Sequence, residues 1–570
     1  MLLSNFNLLA TAPGGVARLR ELILTLAVQG KLVPQDPKDE PASALLKKIR
    51  AEKDPLIAEG KIKRDKPLAE ISKEEKLFGL PESWELVRLN DLLPEFQNGA
   101  SSRGDVGGRS VTVLRLADIK NRHISLADTR QIPIAERDIL KYHVQVGDIL
   151  ITRVNGSADI VGQFNLCETA VDAIYCDHFI RMRLSNQWIE PTYLALVSES
   201  SLMRRRIKEL FITTAGQKTV NQGHIGSLQF GLPPLAEQSR IVARVEELMR
   251  VCDALEVKGK LETAQHAQLV STLLDTLTGS DTPETLAQNW QRIAAHFDLL
   301  LDRPEAIDAF EQTILQLAVR GLLVPQDPRD EPASVLLKNI RVEKDRLMAE
   351  GMIRRDKPLA AITEEEKQFE VPYGWEWGHL SNICIQVTDG THQTPKYTIS
   401  GRPFLSAKNV KPFKFMPHPH RFVSEEDFHA LRKGRIPTHG DILMTRVGAM
   451  IGEAAEIDSD IEFAFYVSLA LLSLPKSLVS PRFLVMWLNS PFGTAKSVEK
   501  TLGRGVSAGN LNLSFIRSFS VPLPPLREQF RIVTRVEELR RLCADLHQLL
   551  TASQTTQAHL AEALVESVAG

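Results

Sequence analysis

The sequence predicts an α+β chain: two α/β domains joined and separated by long antiparallel, coiled-coil-like helices, with an internal pseudo-two-fold repeat. Three observations predict this. Residues 32–76 return 291 positions later as 323–367, with 34 of 45 positions identical. A second pair, LPPLAEQSRIVARVEELMRVCDAL (232–255) and LPPLREQFRIVTRVEELRRLCADL (523–546), keeps that offset. Between the copies lie two stretches of about 150 residues that resemble each other only faintly. A duplicated frame holding two divergent inserts is suited to presenting two different things in one geometry.

The repeat is wider than its best-matching parts. Phe6 pairs with Phe297, Pro13 with Pro304, Gly30 with Gly321 and Trp84 with Trp375, and the copies end at Gly279 and Gly570. Each copy therefore spans 274 residues, 6–279 and 297–570, leaving 280–296 as an unmatched linker. Val16, Leu19, Ile23 and Leu26, like Ile307, Phe310, Ile314 and Leu317, are spaced as one apolar helical stripe, closed by Gly30 and Gly321. A second helix follows Pro41; Pro55 should kink or end it, whereas the second copy has Arg346 there.

The pattern then becomes strand-like. SVTVLRLADI, GDILITRVNG and DHFIRMRLS, and later RPFLSAKNV, GDILMTRVGAM and FYVSLALLSL, cluster or alternate apolar residues between Gly, Asp and Asn turns. After LPP, Ile241, Val245, Leu248, Cys252 and Leu255 follow a heptad seam, repeated by Ile532, Val536, Leu539, Cys543 and Leu546. Gly259 is expected to interrupt the first of these helices. The resulting division is 1–83, helical; 84–232, α/β; 233–374, helical with the linker 280–296; 375–523, α/β; and 524–570, helical. The segment 1–83 is expected to pack with 526–570, as 297–374 packs with 235–279.

Composition narrows the class. The 570 residues are 43% hydrophobic and 25% charged, as in ordinary globular proteins, and carry a formal net charge of −2. Any polyanion-binding surface must therefore be local. Five scattered cysteines without a CxxC pair read as reduced thiols, with Cys252 and Cys543 at matching core positions. The N-terminal run has no basic leader, so no secretory signal is expected. No stretch is long and apolar enough for a membrane span.

No catalytic motif is found. There is no GxxxxGK[ST] loop, GxGxxG turn, HExxH helix or GxSxG elbow. Asp148 and Asp441, before apolar strands, read as turn residues, and His418–His420 as a basic loop. The positive signal is basic. Residues 396–446 hold ten Lys and Arg against four acids, with four histidines and the aromatics Tyr397, Phe404, Phe413 and Phe415 among them. Candidate DNA-binding residues are Arg103, Arg109, Arg115, Lys120, Asn121, Arg122 and Arg153 in the first α/β domain. In the second they are Thr391, His392, Lys396, Lys408, Asn409, Lys411, Lys414 and Arg446. Arg can bond guanine bidentately and Asn adenine, from loops that follow strands, as 118–122 and 408–411 do.

These features resemble the specificity subunit of type I restriction-modification enzymes over nearly the whole chain. The marks are LPPLAEQSRIVARVEEL and LPPLREQFRIVTRVEEL, VQGKLVPQ and VRGLLVPQ, LPESWELVRL and VPYGWEWGHL, and the two GDIL strands, each twice in one order. The resemblance implies two target-recognition domains (84–232 and 375–523), each reading half of a split site on double-stranded DNA. It implies helices that fix the gap, and no catalysis in this chain. The implied partners are two methyltransferase subunits using S-adenosylmethionine and two restriction–translocase subunits using ATP and Mg, in the cytoplasm, with no membrane. NGASSRGDVGGRS lacks an element like Thr394-Pro395, a departure in the first domain. Service to a fused methyltransferase–nuclease, or a DNA-free helical scaffold, are the alternatives.

Overall fold

The computed structural model describes residues 6–59, 79–101, 108–120, 122–214, 216–280, 282–355, 357–448, 450–502 and 509–569. Two compact units emerge, Met1–Glu262 with Gln554–Gly570, and Thr263–Ser553.

In the first unit a four-stranded antiparallel sheet runs in the order Glu95–Asn98, Phe179–Arg183, Ile149–Thr152, Phe164–Leu166. Ile149–Thr152 is buried throughout, which is why its sequence is continuous rather than alternating. A second sheet places Arg109–Leu114 between Ala173–Tyr175, parallel, and Arg130–Ile134, antiparallel. The second unit repeats the plan, with Gln386–Asp389, Leu469–Ser473, Ile442–Thr445 and Ala454–Glu456 in one sheet. Arg421–Val423, Arg402–Leu405 and Ala464–Phe465 form the other.

Each variable domain begins and ends on one two-stranded ribbon. Glu85–Arg88 pairs antiparallel with Gln229–Leu232, Glu85 facing Leu232. Glu376–His379 pairs likewise with Ser520–Leu523, Glu376 facing Leu523. Antiparallel pairing brings the two ends of an insert of about 150 residues side by side, so the frame closes behind it.

The frame explains the repeated residues. Gly30 turns the chain at φ 70°, and a Cβ there would lie 2.5 Å from Pro81 Cγ; Gly321 does the same at φ 73° against Pro372. The Gln of each LPPLxEQ is fully buried. Gln238 Oε1 accepts from Glu190 N and its Nε2 donates to Pro233 O. Gln529 makes the same pair of bonds with Ser480 N and Pro524 O. The preceding glutamates, Glu237 and Glu528, accept from Gln35 and Gln326, and burial pushes both carboxyls above the usual carboxylate range. Arg240 and Arg531 hold Asp39 and Asp330. The motif therefore ties the long helix simultaneously to the variable domain and to the repeated segment before it.

The helices Gly15–Val28 and Pro304–Val319 bury their stripes as expected. In the first unit Leu19, Leu22 and Ile23 share a core with Ile241, Val245, Cys252 and, from the last helix, Ala561 and Val565. In the second, Ile307, Phe310 and Ile314 share one with Val270, Leu274, Leu277, Ile532 and Val536. The expected packing of 1–83 with 526–570, and of 297–374 with 235–279, holds for the far ends of the long helices, Ala561 and Val565, and Val270, Leu274 and Leu277. Their first halves, with Ile241, Val245 and Cys252, and Ile532 and Val536, pack on the short helix of their own copy. Among the described residues no helix is long and apolar enough to cross a membrane.

Two expectations are corrected, and the linker gains a helix. Gly259 does not interrupt its helix, which runs unbroken over Leu235–Thr278, as its counterpart does over Leu526–Ala569. One glycine costs about 1 kcal/mol, and core residues on either side of it, Cys252 and Val270, outweigh that. A Cβ at Gly259 would meet nothing within 4 Å. Gly259→Ala is therefore expected to stabilise the chain by about 1 kcal/mol, read as a rise in urea midpoint; a loss would mean the glycine serves a bend. Pro55 does not shorten its helix either. Ala42–Ala58 and Ala333–Ala349 stop at equivalent residues, because Pro55 lies in the last turn and removes one hydrogen bond only. Finally, the linker 280–296 contains a helix, Pro283–Ala294, capped by Thr282. It packs Trp290 at 5.9 and 6.0 Å from Phe297 and Phe310 and buries Ile293.

Candidate nucleic-acid interface

In both variable domains a short hairpin follows a strand of the three-stranded sheet. Leu116–Asp118 and Ala407–Asn409 form single 3-10 turns, leading to Ile119–Lys120 paired with His123–Ile124, and Val410–Lys411 paired with Lys414–Phe415. The turn's third residue is what holds it. Asp118, 2% exposed, accepts from Arg115 N and from the Arg115 guanidinium. Asn409, 4% exposed, accepts from Ser406 N and donates to Met416 O and Pro419 O.

Several candidates are engaged within the chain. Asn409 has its amide committed inside the hairpin. Arg115 is spent on Asp118 and Asp128 O. Arg122 turns inward and is ion-paired with Glu199. Arg446, 5% exposed, bonds Leu511 O through Nε, Asp389 and Val467 O through Nη1, and Asn510 through Nη2. Burial pulls its pKa down against the opposing charge of Asp389. Arg153, its counterpart, is half-buried with Nη1 bonded to Asp177 O. All five side chains have partners within the protein. Arg103 and Asn121 lie outside the described residues.

The remaining candidates stand outward. Lys120, Lys396, Lys408, Lys411 and Lys414 are exposed, with Lys411 Nζ 4.0 Å from Glu453. Arg109 is exposed beside Glu136 at 3.8 Å. In the 388–397 loop Thr391 Oγ1 caps a turn by accepting from Gln393 N, and exposed His392 lies 3.0 Å from Asp389. Asp389 thus ties the loop to buried Arg446.

Two surfaces escaped the sequence reading. On the edge strand Arg421–Val423, the Arg421 guanidinium covers Tyr397 at 4.3 Å, and His418, His420 and Phe422 form a ring ladder at 4.7 and 4.9 Å. The signal was present as alternating His and Phe beside a basic run. In the first unit, Ile212–Thr214, Gln217–Thr219 and Val154–Asn155 form a ribbon whose outer strand is wholly exposed. Its sequence, ITT and QKT, is mostly polar and has no alternating apolar face.

Other chemistry is sparse. Cys176, Asp177 and His178 bring donor atoms within 4.8 Å, but burial raises the Cys176 pKa and disfavours a metal-binding thiolate. Cys252 and Cys543 are buried core thiols, Cys543 pushed up to about 11.

Comparison with known proteins identifies the family. The profile described as "Type I restriction modification DNA specificity domain" matches residues 390–553. The specificity subunit of the type I restriction enzyme EcoAI from Escherichia coli is 36% identical over 97% of this chain and 94% of its own. That of EcoEI, also from Escherichia coli, is 34% identical over the same shares. The crystal structure of the HsdS subunit from Thermoanaerobacter tengcongensis aligns with 86% of this chain and 98% of its own, at 17% identity and a TM-score of 0.42. A duplicated frame, two divergent α/β inserts and near-full-length identity to such subunits lead to one conclusion: the chain belongs to the family of type I restriction-modification specificity subunits, the non-catalytic, DNA-recognising component of those enzymes.

Proposed function

We propose that the chain reads a bipartite double-stranded DNA site, one half-site by each variable domain, and carries that reading to a methylating and restricting complex. The observation that carries this is the closure of each insert on an antiparallel ribbon, Glu85 against Leu232 and Glu376 against Leu523, within a frame that occurs twice. A cassette held by both ends can diverge without disturbing what surrounds it. The repeated segments 32–76 and 323–367 then serve two equivalent partners, the methyltransferase subunits, whose S-adenosylmethionine does the chemistry. Two ATP- and Mg-dependent restriction subunits complete the assembly in the cytoplasm. The exposed lysines neutralise phosphates, a salt-dependent contribution. The 388–397 loop, the Tyr397–Arg421 ladder and the polar ribbon supply base and sugar contacts. The long helices, at ~1.5 Å per residue, set the gap between half-sites.

The test is to exchange 84–232 for the corresponding segment of a related subunit and map methylated adenines in cells bearing the complex. One half-site should change while the other half and the gap stay. Change in both halves would refute modular reading.

A further inference from the structure

At the tip of the short hairpin each domain carries a non-glycine residue in the left-handed region, Arg122 at φ 67° and Phe413 at φ 63°. The two occupy equivalent positions, and left-handed backbone is disfavoured for both residue types. In each unit the tip side chain faces a groove bounded by the unit's own long helix. In the second unit this groove, about 250 Å³, is lined by Phe413, Arg482, Val485, Val536, Glu537 and Arg540. The Arg540 guanidinium lies 3.7 Å from the centre of the Phe413 ring, and its Nε donates to Glu311 at 2.6 Å. Phe413 N donates to Ala454 O. The first unit's groove, about 990 Å³, includes Arg20, Arg122, Glu199, Glu246 and Met249. There Arg122 pairs with Glu199, while Arg20 lies 3.9 Å from Met249 Sδ and binds Asp253.

Where the two frames face the hairpin tips, the cation stands on different helices. The long helix offers Met249 in one copy and Arg540 in the other; the short helix offers Arg20 in one and Glu311 in the other. The tips differ with them: Arg122 pairs with Glu199 in the groove that Met249 lines, and Phe413 lies under Arg540. We propose that the hairpin tip is a latch that positions each variable domain on its own long helix, and that the differently placed cation makes each frame accept only its own type of tip. An arginine tip in the second frame would meet Arg540. A phenylalanine tip in the first would lose its cation partner. Phe413 and Arg540 are thus positioning residues, acting on DNA reading through the hairpin that carries Lys411 and Lys414. That last step rests on the function proposed above.

The experiment uses the full chain and hydrogen exchange of peptides covering 408–416, with strand 442–445 as an internal control for folding. Arg540→Met should speed exchange in 408–416 at least tenfold, and Phe413→Arg further. The double variant F413R/R540M, which recreates the first unit's tip-and-helix pair, should recover at least half of that loss on a logarithmic scale. Arg540→Lys, keeping charge but losing the planar stack, should fall between wild type and R540M. Additive effects in the double variant, or unchanged exchange in R540M, would overturn the latch. Should F413R also loosen 442–445, the R540M and R540K pair decides alone. With the methyltransferase present, R540M should lower methylation or widen the allowed gap, and a map with no bipartite motif in wild type would refute DNA reading while leaving the exchange result standing.

Discussion

Gln529→Ala is expected to destabilise the second unit by about 2–5 kcal/mol, among the largest effects of any single side chain in the frame. The glutamine is fully buried and bridges Ser480 N and Pro524 O at 2.8 and 2.9 Å. Truncation leaves a donor and an acceptor without partners, each costing about 1–3 kcal/mol, and a cavity besides. Gln529→Glu should be as damaging although it fills the same space. One carboxylate oxygen would still accept from Ser480 N, but the other would face the Pro524 carbonyl with nothing to donate. Gln238→Ala should do the same to the first unit, through Glu190 N and Pro233 O. Urea unfolding followed by hydrogen exchange of strands 442–445 and 149–152 separates the units. A loss below about 1 kcal/mol would mean that Gln529 does not hold helix and variable domain together.

That motif shows which parts of the structure were legible. The long helices could be read because burial at Ile241, Val245 and Cys252 imposes a period on the sequence, and the duplication doubled the signal. Gly259 was misread because helix propensity is weak beside packing at both ends of a 44-residue helix. The helix Pro283–Ala294 was missed because 280–296 has no counterpart in the repeat, although Trp290 and Ile293 lie three apart on one face. The interface was less legible than the fold. Asn409 looked like a reader, yet Ser406-x-x-Asn409, like Arg115-x-x-Asp118, has the spacing of a cap, and each side chain closes its own turn. Arg446 could not have been assigned from sequence at all. Its partners Asp389, Val467 and Asn510 are brought in from 57, 21 and 64 positions away. The exposed lysines have no such ties to give them away, and only the fold separates them from the buried arginines.

That separation makes the last prediction sharp. The triple substitution K408A/K411A/K414A should weaken binding of duplex DNA carrying the recognised site by about 10²-fold at 0.1 M salt. It should also flatten the plot of log affinity against log salt by about 2–3, since each lost phosphate contact removes about 0.9 from the slope. All three lysines are exposed; Lys411 alone faces a largely buried group, lying 4.0 Å from Glu453, so its loss removes that carboxylate's cation. Stability should fall by no more than about 1 kcal/mol, the cost of that one long ion pair. Asn409→Ala reverses the pattern. It strips the cap from Ser406 N and two partners from Met416 O and Pro419 O, so the hairpin loosens and stability falls. The salt slope contributed by the lysines should remain in the fraction still folded. Arg446→Ala should resemble Asn409→Ala, because its guanidinium is bonded entirely within the protein. A triple variant with an unchanged slope would place the phosphates elsewhere, and the Tyr397–Arg421 ladder and the 388–397 loop would then be the surfaces to substitute. A slope lost equally in Arg446→Ala at full stability would mean that the buried guanidinium is released to DNA on binding, contrary to its four internal partners.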